Sequence, residues 1–178
     1  YTDSELTWTY VAFMTMATLI AAIAIKLDSQ ILVIGAMVLG PEFGAIAALG
    51  VALVRRRRFL LTQALRTLII GFAIAMAITT FATFLAAVAG WIDIGDLARP
   101  RPGTTFIYKP DKWSFVVALS AGVAGVLSLT SAKTGGLAGV FISVTTIPAA
   151  GNIAVALVFA EWAEVVGSSV NLLANLTG

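Results

Sequence analysis

Ile31–Leu53 reads ILVIGAMVLGPEFGAIAALGVAL, and the reading of this stretch places the rest of the chain around it. It is long and apolar enough to cross a bilayer as a helix, a crossing that takes about 20 residues. Its middle holds Gly40, Pro41 and Gly44, which weaken or break helices, and Glu42, which hydrocarbon rejects. With ~1.5 Å of rise per residue, Glu42 falls roughly 15 Å in from Ile31, near the middle of a ~30 Å core. An ionisable residue at that depth marks a candidate functional site. Proline removes an N–H and clashes with the carbonyl four residues earlier, yet it suits the first turn of a helix. The expected arrangement is therefore a half-helix ending near Leu39–Gly40 and a second beginning at Pro41. Glu42 would lie in its first turn, where the helix dipole favours a carboxylate.

The surrounding composition fits this reading. Of 178 residues, 60% are hydrophobic and 11% charged, against about 25% charged in a soluble domain. The chain has no cysteine and no histidine, which excludes thiol chemistry, disulfides and histidine-ligated metals. No metal site and no cofactor are expected. Basic residues cluster at Arg55, Arg56, Arg57 and Arg58. Next to a span such a run is a topology signal rather than a nucleic-acid site, so no nucleic-acid partner is expected.

Working outward, Trp8–Ile25 is a first span opened by an aromatic belt at Trp8 and Tyr10, and Phe59 to about Ala89 is a third, longer than a bilayer requires. Trp91–Lys112 is the one sizeable loop. It carries Pro100, Pro102, Gly103 and Pro110, with Asp93, Asp96 and Asp111 set against Arg99, Arg101, Lys109 and Lys112, and it shows no ligand constellation. Trp113–Ser131 is a fourth span and Leu137–Ala160 a fifth, interrupted at Pro148 and Gly151. Glu161–Ser169 reads as a connection, with a sixth span opening at Val170. Arg55–Arg58 in the cytoplasm puts the N-terminus and Lys133 inside and Trp91–Lys112, Glu161 and Glu164 outside.

An internal offset is visible. Pro41 and Pro148 are 148 − 41 = 107 apart; the same step takes Gly44 to Gly151 and Lys26 to Lys133. The units matched are three spans each, residues 1–90 and 113–178, with 91–112 between them as an external loop. An odd number of spans inverts the second unit relative to the first, the pattern of many secondary transporters. The fold expected is thus an all-α polytopic membrane protein of about six helices, arranged as two inverted three-helix repeats with helices 2 and 5 broken at Pro41 and Pro148. The candidate substrate or ion site is where the breaks meet: Gly40, Pro41, Glu42 and Gly44 from one, Thr145, Thr146, Pro148, Gly151 and Asn152 from the other. Opposed half-helix dipoles there roughly cancel, which leaves the Glu42 charge to favour a cation or proton.

At these residues the chain resembles the bacterial membrane family known as domain of unknown function 389. The resemblance rests on Ile34-Gly35-Ala36-Met37, Pro41 and Gly44 in the early span and on Gly139-Val140 and Pro148 in the late one. Gly40 stands where the family usually has serine, Glu42 where it has an apolar residue, and Ala149 where it has a second proline. The resemblance implies a bacterial inner-membrane location and, in many members, a soluble N-terminal domain; it implies no activity. Three functions are weighed: a transporter or channel for a small solute or cation, a non-transporting anchor or sensor for an attached soluble domain, and an intramembrane enzyme. The last is set aside, since no second acid lies at the depth of Glu42 to share acid–base work. Small-residue faces such as Gly122-x-x-Gly125 lead to the expectation of a homo-oligomer within the lipid bilayer.

Overall fold

A computed structural model describes residues 6–109, 112–130 and 135–177, and the described residues are helical with no strand. The helices are α1 (Trp8–Lys26), α2 (Gln30–Leu39), α3 (Glu42–Val54), α4 (Arg58–Val88), the short α5 (Ile94–Ala98) and α6 (Thr105–Tyr108), α7 (Lys112–Thr130), α8 (Gly135–Val158) and α9 (Trp162–Thr177). Among the described residues, two helices, α1 and α4, are long and apolar enough to cross a membrane; α2 and α3 together make a third candidate, bent by 59°.

The side-chain distribution is that of a protein packed in lipid. The core is built from small and polar residues: Ala17, Ala21, Ala36, Ala45, Ala75, Ala150 and Thr18 are all fully buried. Large apolar side chains such as Ile31, Phe59, Ile69, Phe81 and Leu127 point outward. Hydrocarbon supplies no hydrophobic drive between helices, so close approach of small residues takes over that role. Gly151 is the clearest case. A Cβ there would lie 2.7 Å from the Ala21 Cβ and 3.1 Å from the Ala22 nitrogen, so only glycine lets α8 and α1 approach this closely.

The break at Gly40–Pro41 forms as the sequence leads one to expect. Ser29 caps α2, its hydroxyl accepting the Leu32 N–H at 3.4 Å. Gly40 is extended at ψ 120°, the conformation a following proline imposes, and Glu42 begins α3. The expected break at Pro148 does not form: α8 runs unbroken from Gly135 to Val158 with the proline inside it. The local chemistry differs, since Pro41 follows a glycine whereas Pro148 sits between Ile147 and Ala149-Ala150. Packing differs more. Every residue from Thr146 to Ala156 is buried, so contacts on all sides keep α8 helical against a cost of about 3 kcal/mol for the proline. Helix α8 is the centre of the fold and touches α1, α2, α3, α4, α6, α7 and α9.

Two further expectations are corrected. Glu161–Ser169 is not a connection: α9 starts at Trp162, and the link is the short turn before it, with Ala160 at φ 56°. The segment is helical because Glu164 and Ser168 face inward and find partners. The 107-residue step also carries the Arg55–Arg58 turn onto Trp162–Val165, where a second turn is expected and the first turn of α9 stands instead. Lys133 lies outside the described residues.

The 91–109 segment is ordered and carries α5 and α6. A capping box closes α5 between Asp93 and Asp96. The segment folds back over one end of the bundle. Lys26 donates to the Trp91 carbonyl and pairs with Asp96 at 3.9 Å. Asp28 accepts the Gly103 N–H at 3.1 Å and the Thr104 hydroxyl at 2.9 Å. Asn171 donates to the Phe106 and Ile107 carbonyls at 3.1 and 2.9 Å. The α1–α2 turn, the 91–109 segment and the α8–α9 turn thus share one end. Arg55–Arg58, all exposed, lie at the far end of α3.

Candidate functional site

Glu42 is fully buried at the first position of α3, beside the break. The Thr146 hydroxyl of α8 donates to Glu42 Oε1 at 2.9 Å, joining residues 104 apart in the chain. Tyr10 of α1 is buried nearby, its hydroxyl within electrostatic reach of the carboxylate. The Tyr10 ring fills the space beside Gly71, where a Cβ would come within 2.5 Å of it. Ala45, on α3 one turn after Glu42, packs into the same cluster as Tyr10, Ala36 and Ile147. The carboxylate is therefore sealed by α1, α3 and α8. Arg66 is exposed on α4.

Of the expected site residues, Gly40, Pro41 and Gly44 surround Glu42 by sequence, and Thr146 meets it directly. Thr145 is in α8 by its backbone, and its side chain lies outside the described residues. Pro148 and Gly151 serve packing: the first is an interior helix residue, and the second is the contact with α1. Asn152 does not join Glu42. Six residues beyond Thr146, it is displaced by roughly 9 Å along α8 and by about two-thirds of a turn around it. It faces α9 instead.

There Asn152 enters a second buried polar cluster. Its Nδ2 donates to Glu164 Oε2 at 3.2 Å and to Ser168 Oγ at 2.9 Å. Glu164 Oε1 accepts from Arg101 Nη2, forming an ion pair. Arg101 comes from the 91–109 segment yet is only 3% exposed, and its guanidinium carbon lies 4.8 Å from the centre of the Tyr108 ring. Glu164 is in the first turn of α9, where the dipole supports a carboxylate. Arg101, Tyr108, Glu164 and Ser168 were not singled out from sequence. One usable signal was present: Glu164, Ser168, Asn171 and Asn175 fall at i, i+4, i+7 and i+11, a polar stripe on an otherwise apolar helix. The Pro100-Arg101-Pro102 triplet was another, since flanking prolines stiffen the backbone that delivers the guanidinium.

Among the described residues no group of histidine, cysteine, aspartate and glutamate could hold a metal ion. A groove of about 700 Å³ runs between α4 and α8, lined by Met76, Phe81, Phe84, Ile153 and Leu157 among others. It is apolar and includes neither Glu42 nor Asn152.

These features are those of an all-helical membrane protein with a buried carboxylate at a helix break. The chain belongs to the family described as Domain of unknown function (DUF389), whose match covers residues 37–178. It is also similar to an uncharacterized protein of Methanocaldococcus jannaschii, with 29% identity over 135 residues. That alignment covers 76% of this chain and 39% of the relative, so the chain matches about two-fifths of the relative's length. The relative is archaeal, so similarity to this chain is not confined to bacteria. No solved structure matches the chain.

Proposed function

We propose that this chain is the membrane-embedded part of a transporter or channel-like protein that takes a proton or small cation at Glu42. The observation that carries the proposal is a fully buried carboxylate at the start of a half-helix, held by a hydroxyl from the central helix α8. A structural bend needs only Gly40 and Pro41. Hydrocarbon charges roughly 3 kcal/mol or more for an added acid, so its retention asks for a use. In this conformation Glu42 is sealed, and access requires α3 to move against α8 about Gly40–Pro41. Six crossings with an inverted relation of residues 1–90 to 113–178 belong to the same proposal, as do Arg55–Arg58 in the cytoplasm, a plasma-membrane location and assembly into a homo-oligomer. The clustering of three connections at one end of the bundle is what six alternating crossings would produce.

The test is thermal melting of the purified full-length protein across pH and in Na⁺, K⁺ or NH₄⁺. A ligand that binds the folded state at 100 times its Kd stabilises by about 2.7 kcal/mol. The proposal expects a pH- or ion-dependent shift in melting temperature that Glu42→Gln abolishes. A response identical in both proteins removes Glu42 from any binding role.

A second reading, a membrane anchor or sensor module for an attached soluble domain, draws on the length of the archaeal relative, 61% of which lies outside the alignment (100 − 39). It expects the soluble part of a full-length member to bind its ligand equally well with and without these helices.

A further inference from the structure

Two hydroxyls are buried with no hydrogen-bond partner among the described residues: Tyr10 Oη on α1 and Thr79 Oγ1 on α4. A buried tyrosine hydroxyl ordinarily finds a partner. The Tyr10 ring lies against Gly71, and its Oη would be 3.4 Å from a Cβ built there. Its cluster also holds Ala45, one turn after Glu42, and Ile147, the neighbour of Thr146. The charge that bears on the hydroxyl is that of Glu42, yet the two are not hydrogen bonded. Tyr10 also meets α4 at a particular row. Thr67, Gly71, Ala75, Thr79 and Thr83 stand four apart, and all are buried. Gly71 brings no side chain to the row, and at its position Tyr10 supplies the hydroxyl. Thr67 is one turn nearer than Gly71 to Arg58, where α4 begins among the exposed arginines, and half-buried Gln63 is one turn nearer again. Each turn advances roughly 6 Å, a gap that one water spans with two hydrogen bonds of about 2.8 Å. A phenol has one O–H to donate and needs an acceptor for it. A metal ion between Tyr10 and Glu42 offers none. A water accepts from Tyr10 and donates to Glu42.

We propose that the guest at Glu42 is a proton, and that the Tyr10 hydroxyl relays it between the carboxylate and the row on α4 that leads through Thr67 to the Arg58 end. This rests on the reading of Glu42 as a proton or cation site and adds to it the identity of the guest and its route. Water joins the relay when α3 moves about Gly40–Pro41, while Tyr10 and Thr67 stay in place on α1 and α4. The transfer balances at each oxygen. A hydronium on the Thr67 side gives a proton to a lone pair of Tyr10 Oη. The O–H bond that Tyr10 already carries breaks, and its proton passes to a water beside Glu42. That water releases one of its own protons to the carboxylate. The hydronium ends as water, Glu42 as a neutral acid, and the phenol with one O–H bond, as it began.

Tyr10→Phe removes the relay and keeps the ring beside Gly71. The full-length protein and its variants are reconstituted in liposomes, and proton uptake down a pH gradient is followed with an entrapped pH dye, with K⁺ and valinomycin balancing charge. The parent should conduct protons, Tyr10→Phe should do so at least tenfold more slowly, and Glu42→Gln should not conduct. Melting separates a relay from a structural role. Folded Tyr10→Phe can still protonate Glu42 at equilibrium, so it should keep a pH-dependent melting shift like that of the parent and lose only rate. Proton flux within twofold of the parent in Tyr10→Phe, with Glu42→Gln inactive, would overturn the relay and leave the role of Glu42 standing. Loss of the melting shift together with the flux would make Tyr10 a structural part of the site and overturn the relay as well. Flux of Na⁺ or K⁺ without protons would overturn the assignment of the guest. Equal proton flux in the parent and Glu42→Gln would remove the underlying reading of Glu42, and the relay with it. If size exclusion shows that Tyr10→Phe is poorly folded, Thr67→Val takes its place with the same tenfold expectation, and unchanged flux then overturns the route.

Discussion

Replacing Thr146 with valine isolates the bond that ties the break to the central helix. Valine keeps the shape and branching of threonine, and Thr146 is fully buried, so the change removes a hydroxyl without opening a cavity. What is lost is a 2.9 Å donor to Glu42 Oε1. Hydrogen bonds to charged groups contribute about 1.5–3 kcal/mol in soluble proteins, whereas side-chain bonds measured between membrane helices average about 0.6 and reach about 1.7. Glu42 is fully buried, which puts the expected loss near the upper membrane value, about 1.5 kcal/mol. In a chain of this length that corresponds to a melting shift of roughly 3–6 °C. A double-mutant cycle with Glu42→Gln, melted in the same detergent, separates the bond from generic disturbance. The two single changes should fall short of additivity by about 1 kcal/mol, since each removes the same contact. A Thr146→Val protein within about 0.3 kcal/mol of the parent, or strict additivity, would refute the coupling of α3 to α8 through this pair.

Other substitutions test the packing. Gly151→Ala should destabilise by about 1–3 kcal/mol, because its Cβ would overlap Ala21, whereas Gly50→Ala, with nothing within 4 Å, should gain about 0.5–1 kcal/mol from helix propensity; both are read by thermal melting. Gly167→Ala should unseat the 105–108 turn, since its Cβ would lie 2.1 Å from the Tyr108 carbonyl oxygen, and limited proteolysis should then cut within 91–109. Asp28→Ala removes two bonds to that segment and puts alanine at φ 47°; it should cost about 2 kcal/mol, and Asp28→Asn, which tolerates that φ and keeps an acceptor, clearly less.

What could be read from the residues alone divides by range. The Gly40–Pro41 break was legible because it is local: a missing N–H, a glycine before it, and a proline that suits a first turn. The bounds of α1 and α4 followed from apolar length. The continuity of α8 through Pro148 was not legible, since it depends on burial of Thr146–Ala156 within a helix that seven others touch, and no local pattern distinguishes that from a break. The reach of Thr146 to Glu42 was half-legible: both residues stood out, but their pairing spans 104 positions. Asn152 was placed with the wrong partners because matching Pro41 to Pro148 ignored the rotation of α8 beyond Thr146. The Arg101–Glu164 pair was invisible for a related reason. A loop arginine is ordinarily solvated, and only the backbone path through Pro100 and Pro102 turns this one inward.

The central claim is that the Glu42 carboxyl handles a proton or cation. The most direct measurement is proton and monovalent-cation flux into liposomes containing the full-length protein, beside a Glu42→Gln variant shown by size exclusion and melting to be folded. The account predicts flux that the parent supports and the folded variant loses. Equal flux in the two proteins would contradict it.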